Sequence, residues 1–107
     1  MFSKLRSLIF KVDPEKAHSL AIKSLKFNLI PNVFDENKND PIFQTKIFDK
    51  ELDNPIGIAA GFDKNAEVYN PLFKLGFGFV EVGTITPLKQ YGNPKPRVFR
   101  LVEDEAL

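Results

Sequence analysis

The run Ile56-Gly57-Ile58-Ala59-Ala60-Gly61-Phe62-Asp63-Lys64-Asn65 changes the pattern of the chain. Its first five residues are apolar or small throughout, with none of the alternation of a half-exposed strand. That pattern predicts a strand buried on both faces, as parallel strands are. Gly61 to Asn65 reads as the loop at its carboxyl end. A helix is expected next, capped by Asn70, with Pro71 at its first position and its end at Gly76. Phe79-Val80-Glu81-Val82-Gly83 reads as the following strand, with Glu81 buried in the strand region. Strand, loop, helix and strand make one βαβ unit, which implies a parallel sheet.

Downstream, a loop containing Pro87, Gly92, Pro94 and Pro96 leads to a strand-like run over 97–101. Upstream, the spacing predicts a strand around 46–48 and a turn at Asp49-Lys50-Glu51, so a hairpin precedes the main fold. Residues 32–44 form a polar connector. Before it, Phe2, Leu5, Leu8, Ile9 and Val12 recur at helical spacing. Asp13 then has the character of an N-cap, with Pro14 at the first helical position and Glu15 in the first turn. This second helix is expected to run to about Phe27, closed by Asn28 and Pro31. Ala17, Leu20, Ala21 and Ser24 would form its apolar stripe. Three parts are therefore expected: helical residues 1–31, connector and hairpin 32–54, and α/β residues 55–107. One βαβ unit leaves open sheet edges, so the chain reads as the opening of a larger α/β protein.

Composition narrows the function. The chain has 107 residues, a net charge of +1 and no cysteine. The near-neutral balance argues against a dedicated nucleic-acid binder. Without cysteine there is no thiolate catalysis and no Cys-based metal site. His18 is the single histidine, so a His-rich metal centre is not expected. Charge is uneven, because residues 1–27 carry six basic residues against Asp13 and Glu15. No apolar run approaches the roughly 20 residues of a membrane-spanning helix. A small amphipathic unit resting on a membrane surface competes here with a helical hairpin packed on its own protein.

Several residues have the character of a site. Gly57, Ala59, Ala60 and Gly61 leave room beside the backbone at the carboxyl end of a parallel strand, where ligands bind in such folds. Close helix packing explains the same small residues equally well. Lys64, in the loop at that strand end, would place an ammonium opposite an anion or a ring that gains negative charge. Thr84 holds the corresponding place after the second strand. Arg97 and Arg100 are notable because the chain has only three arginines, and arginine suits planar, bidentate or stacking contacts. Alternation along a strand would send them to opposite faces. Gly76-Phe77-Gly78 precedes a strand and lacks a third glycine, so it is not a dinucleotide-binding fingerprint.

Taken in order, these motifs resemble a known family. Asn54-Pro55-Ile56-Gly57-Ile58-Ala59-Ala60-Gly61-Phe62-Asp63-Lys64 resembles the first barrel strand of the dihydroorotate dehydrogenases. Gly76 to Pro87 and Gly92 to Leu101 continue the likeness. Asp13-Pro14-Glu15-Lys16-Ala17-His18 resembles the N-terminal helical extension of the quinone-dependent, membrane-associated class. The resemblance implies the start of an FMN-binding (β/α)8 barrel behind a two-helix extension. It also implies oxidation of dihydroorotate to orotate in pyrimidine biosynthesis, with a membrane quinone as electron acceptor. Ala60, Gly61, Phe62, Asp63 and Lys64 would lie against the flavin, and Thr84 would hydrogen-bond FMN. Lys64 would also reach the substrate carboxylate. His18, Arg100, Ala17 and Ala21 would line the quinone tunnel, with Leu5 and Leu8 on the facing helix. Residues 1–30 would make a peripheral contact with the cytoplasmic side of a membrane.

The family's Asn-Arg-x-Gly-Phe-Asn substrate loop and its catalytic serine are not in these 107 residues. The FMN phosphate sites of such barrels come from the last strands. The chain by itself is therefore expected to be inactive. Two alternatives remain: a free-standing membrane-surface or interaction module, and an FMN barrel with a soluble electron acceptor. The helical extension speaks against the second of these.

Overall fold

Asp13 caps helix α1 (Pro14–Lys26) as its position in the sequence predicts. Its Oδ1 accepts the Lys16 N–H at 3.0 Å, three residues on, which satisfies one of the donors left open at a helix start. The other end closes on Asn28, whose φ of 54° is left-handed. There the Leu29 N–H reaches the Ser24 carbonyl and the Asn28 N–H reaches the Leu25 carbonyl, the paired bonds of a Schellman cap.

The computed structural model describes residues 6, 8–29, 41–104, 106 and 107. The expectations for Phe2, Leu5, Pro31 and residues 32–40 of the connector lie outside these. Arg6, Leu8 and Ile9 are helical, and the Phe10 N–H donates to the Arg6 carbonyl at 2.9 Å. By contact the chain forms two units, one of residues up to Ala21 with those from Thr86 onward, the other Ile22–Ile85.

Within the second unit, a 3-10 turn (Pro41–Phe43) precedes the hairpin β1 (Thr45–Ile47) and β2 (Lys50–Leu52). The strands pair antiparallel, Ile47 facing Lys50. The turn residues are Phe48 and Asp49, one position earlier than the sequence suggests. Their φ angles of 48° and 60° match the primed turn that two-residue hairpins favour. The hairpin's own twist sets that geometry, and the Phe48 side chain stands 95% exposed at the tip.

Strand β3 (Gly57–Ile58), helix α2 (Tyr69–Lys74) and strand β4 (Phe79–Val80) form the expected βαβ unit. β3 and β4 are parallel, with Gly57 opposite Phe79 and Ile58 opposite Val80. Both strands are shorter than the five residues expected. Each has one hydrogen-bonded neighbour among the described residues, and Ile56, Ala59 and Ala60 are exposed rather than buried. Glu81 is exposed too, although its N–H still bonds to the Ile58 carbonyl at 2.9 Å. The start of α2 also differs. Val68 is the N-cap and makes no side-chain cap bond, so Pro71 falls at the third helical position. The end stands as read: Gly76, at φ +96°, turns the chain out of the helix.

The core of this unit is Leu25, Val68 and Leu72, joined by Ile22, Ile58, Phe62, Leu75, Phe77 and Val80. The last turn of α1 thus enters the core through Ile22 and Leu25. Leu20, assigned to the apolar stripe by spacing, is 57% exposed. In the other unit, residues 97–100 form no strand. The expected alternation of Arg97 and Arg100 therefore has no basis, and only Leu101 bridges to Ala106.

Candidate functional site

The loops that follow β3 and β4 are tied together by their main chains. The Gly61 N–H donates to the Gly83 carbonyl at 3.2 Å, and the Gly83 N–H donates to the Asp63 carbonyl at 3.0 Å. Gly61 and Gly83 both have positive φ, 99° and 123°, which side-chain-bearing residues rarely adopt. These bonds bring Gly61, Phe62, Asp63 and Lys64 together with Thr84 at one strand end, as the sequence places them. Ala60, Lys64 and Thr84 are exposed there, while Gly61 and Phe62 are half-buried. Backbone free of bulk, an exposed hydroxyl and an exposed ammonium can receive a flat ring and an anionic group.

Lys64 folds back over its own loop. Its Nζ donates to the Gly61 carbonyl at 2.8 Å, and a Cβ built on Gly61 would come within 3.6 Å of that nitrogen. That is ordinary contact, so glycine is required at 61 by its φ of 99° and not by the space beside the lysine head. Asp63 does something different. It is 1% exposed, and its two carboxylate oxygens accept the Glu67 and Val68 N–H groups, each at 2.8 Å. The whole residue is buried, its carbonyl taken by the Gly83 N–H, so Asp63 holds the loop from within and presents nothing at the strand end, contrary to its expected place against the flavin. Sequence reasoning missed this anchoring role. The bonds span four and five residues, outside the two- and three-residue spacing of an ordinary cap. Glu67 continues outward, accepting from Lys26 Nζ at 2.7 Å and from Asn65 Nδ2 at 3.3 Å.

In the other unit, Ala17, His18 and Ala21 lie half-buried on α1. Arg100 Nη1 donates to the Val12 carbonyl at 2.6 Å and to the Phe10 carbonyl at 3.0 Å, and the guanidinium carbon sits 4.9 Å from the Phe10 ring centre. Arg100 is thus fastened to the segment that leads into α1. Arg97 is committed as well. Its Nη2 and Nε donate to one oxygen of Glu15, at 2.7 and 3.2 Å, and its Nη1 donates to the Tyr91 carbonyl at 2.7 Å. Lys95 adds its ammonium 3.2 Å from the same Glu15 oxygen. The rarity of arginine was the one signal in the sequence for these contacts, and Glu15 as partner carried none.

The hydrogen bond from Arg97, reinforced by Lys95, holds the Glu15 carboxyl below its ordinary range. The bond from Lys26 does the same for Glu67. A lowered folded-state value means these groups stabilise the fold above the ordinary glutamate range. That contribution is lost as pH falls through the lowered value. Glu15→Gln and Glu67→Gln are expected to flatten the acid limb of a stability-against-pH curve and leave its shape above neutrality unchanged. A thermal-unfolding series across pH checks this.

Residues 42–107 match the family model described as dihydroorotate dehydrogenase. The chain belongs to the dihydroorotate dehydrogenase family. It is 51% identical over 108 residues to the dihydroorotate dehydrogenase (quinone) of Agrobacterium fabrum, covering all of this chain and 29% of that protein. It is 52% identical over 100 residues to the protein of the same name from Rhodospirillum rubrum, covering 94% of this chain and 27% of that one. Two crystal structures of DHODH from Eimeria tenella, one ligand-free and one in complex with ferulenol, superpose with TM-scores of 0.79 and 0.78 at 49% identity. They cover 86% of this chain, and about a quarter of each of those chains is matched. The chain thus spans less than a third of the length of the curated relatives it matches.

Proposed function

We propose that this chain is the opening part of a quinone-dependent dihydroorotate dehydrogenase, an FMN enzyme of pyrimidine biosynthesis built on a (β/α)8 barrel. The observation that carries the reading is the main-chain tie between the two strand-end loops. It sets Gly61, Lys64 and Thr84 beside one another in a family whose relatives bear the quinone-linked name. The residues present fit a flavin. Half-buried Gly61 offers backbone without side-chain bulk, Ala60 is small and exposed, and Thr84 is exposed with its hydroxyl.

FMN, when bound, supplies a two-electron acceptor for dihydroorotate. Ala60, Gly61 and Phe62 would lie along its ring, with Asp63 holding their loop from within, and Thr84 would donate or accept a hydrogen bond at its edge. Lys64 would exchange its internal bond to the Gly61 carbonyl for the ligand, and its ammonium would face the substrate carboxylate. His18, Ala17 and Ala21 on α1, with Leu8 and Arg100, would line the approach of the quinone. No described helix is long and apolar enough to cross a membrane. The contact we propose is peripheral, on the cytoplasmic side, through residues 1–30. Leu8, Ile9 and Phe10 are exposed there between Arg6 and Lys11.

The test uses the protein extended to the length of its relatives. It should bind flavin and reduce a quinone at the expense of dihydroorotate. Lys64→Ala should lower kcat/KM for dihydroorotate by about 10–100-fold, the size of a lost charge-assisted contact. Parent-like turnover in that variant sinks the role of Lys64. A parent that binds no flavin and leaves dihydroorotate unchanged sinks the whole reading.

A further inference from the structure

Arg97 is held from all sides of its guanidinium within one unit of the fold. Nε and Nη2 close on the Glu15 oxygen, while Nη1 is held by the Tyr91 carbonyl at 2.7 Å and lies 3.4 Å from that of Asn93. The same nitrogen fills the space where a Cβ on Gly92 would stand, so a side chain at residue 92 would have to displace the guanidinium. Glu15 is in the first turn of α1, three residues before His18, and residues three apart share a helix face. Arg97 is three residues before Arg100, which is itself bonded to the carbonyls of Phe10 and Val12 just ahead of that helix. An isolated surface ion pair is worth little. This one differs, because a planar fork with several fixed acceptors defines an orientation as well as an attraction.

We infer that Glu15 and Arg97 are positioning residues that latch the start of α1 to the 91–100 segment and so fix the places of His18 and Arg100, each three residues from a latch partner. The inference rests on the quinone-site reading above. Glu15 and Arg97 touch no reacting group. Their work is to hold two residues that would.

The experiment compares the extended protein with its Glu15→Gln and Arg97→Lys variants, using two electron acceptors. Decylubiquinone requires the quinone approach, whereas ferricyanide takes electrons from reduced flavin directly. The KM for decylubiquinone should rise three- to tenfold in both variants, with the ferricyanide rate, the KM for dihydroorotate and the flavin content unchanged. A quinone KM within twofold of the parent overturns the inference. So does a ferricyanide rate that falls in parallel, since that marks general structural damage. Amide hydrogen exchange reads the latch without activity. Faster exchange at 16–20 and 91–100, with 63–68 unchanged, is expected in both variants, and unchanged exchange overturns the latch. If the parent oxidises no dihydroorotate, the quinone reading fails, and hydrogen exchange still decides whether the latch exists.

Discussion

Gly78→Ala should unfold the βαβ unit more readily than any other single methyl addition in it. A Cβ at residue 78 would overlap the Asn54 main-chain carbonyl. That carbonyl has little freedom to withdraw. The Asn54 side chain donates to the Gly76 carbonyl at 2.8 Å and accepts the Ile56 N–H at 3.0 Å, and the Gly78 N–H bonds to the Ile56 carbonyl at 2.8 Å. The methyl therefore pushes backbone on backbone at the point where β3 and β4 begin to pair. Overpacking of this kind costs about 3 kcal/mol, at the upper end of the usual range. Gly57→Ala makes the informative contrast. There the obstacle is the Phe79 ring, a side chain that can rotate away. In the extended protein, Gly78→Ala should lower Tm by roughly 6 °C, at about 2 °C per kcal/mol for a larger protein. Gly57→Ala should cost clearly less. Equal effects in the two variants would show that the approach of Gly78 to Asn54 does not limit the fold.

Asp63→Ala should be comparably damaging, through polarity rather than volume. Val68, whose N–H the Asp63 carboxylate accepts, is 0% exposed, and the Glu67 N–H beside it is partly buried. Alanine leaves both donors without their acceptor, and no water reaches the inner one freely. Losing charge-assisted bonds to a buried donor costs on the order of 3 kcal/mol for the pair. Asp63→Asn keeps one acceptor oxygen but turns an NH2 group toward the other N–H, so it should fall between alanine and the parent. The effect reaches the site, because Lys64 follows directly and Gly83 bonds to the Asp63 carbonyl. If the proposed flavin binds here, Asp63→Ala in the extended protein should also weaken its retention, which dialysis followed by absorbance measures. A variant as stable as the parent would show that the loop is held by its glycine main-chain bonds alone.

The local signals in this chain are those that act over a few residues. Asp13-Pro14 writes the start of α1, Asn28 writes its end, and Gly76 writes the end of α2, because cap chemistry is local. The small-residue run before Lys64 announces a parallel strand, its carboxyl end exposed at Ala60 and Lys64, and Thr84 after the next strand is exposed beside it. The order of the motifs marks the family. Beyond the parallel pairing of β3 and β4, side-chain partners and strand extents set by distant residues were not legible. The strands are short because each has a single neighbour among the described residues, and so Ile56 and Glu81 lie exposed. Asn70 does not cap α2, because the buried carboxylate of Asp63 takes the Glu67 and Val68 amides just ahead of that helix.

The sequence by itself determined the helix ends, the βαβ order and the residue types gathered at the strand ends. Only the tertiary structure decided that Asp63 turns inward, that Lys64 rests on the Gly61 carbonyl, and that Arg97 finds Glu15, 82 residues away. The physical reason is range. Caps and turns are fixed by bonds between near neighbours, whereas the partner of a buried carboxylate or a guanidinium depends on which backbone groups packing leaves without water.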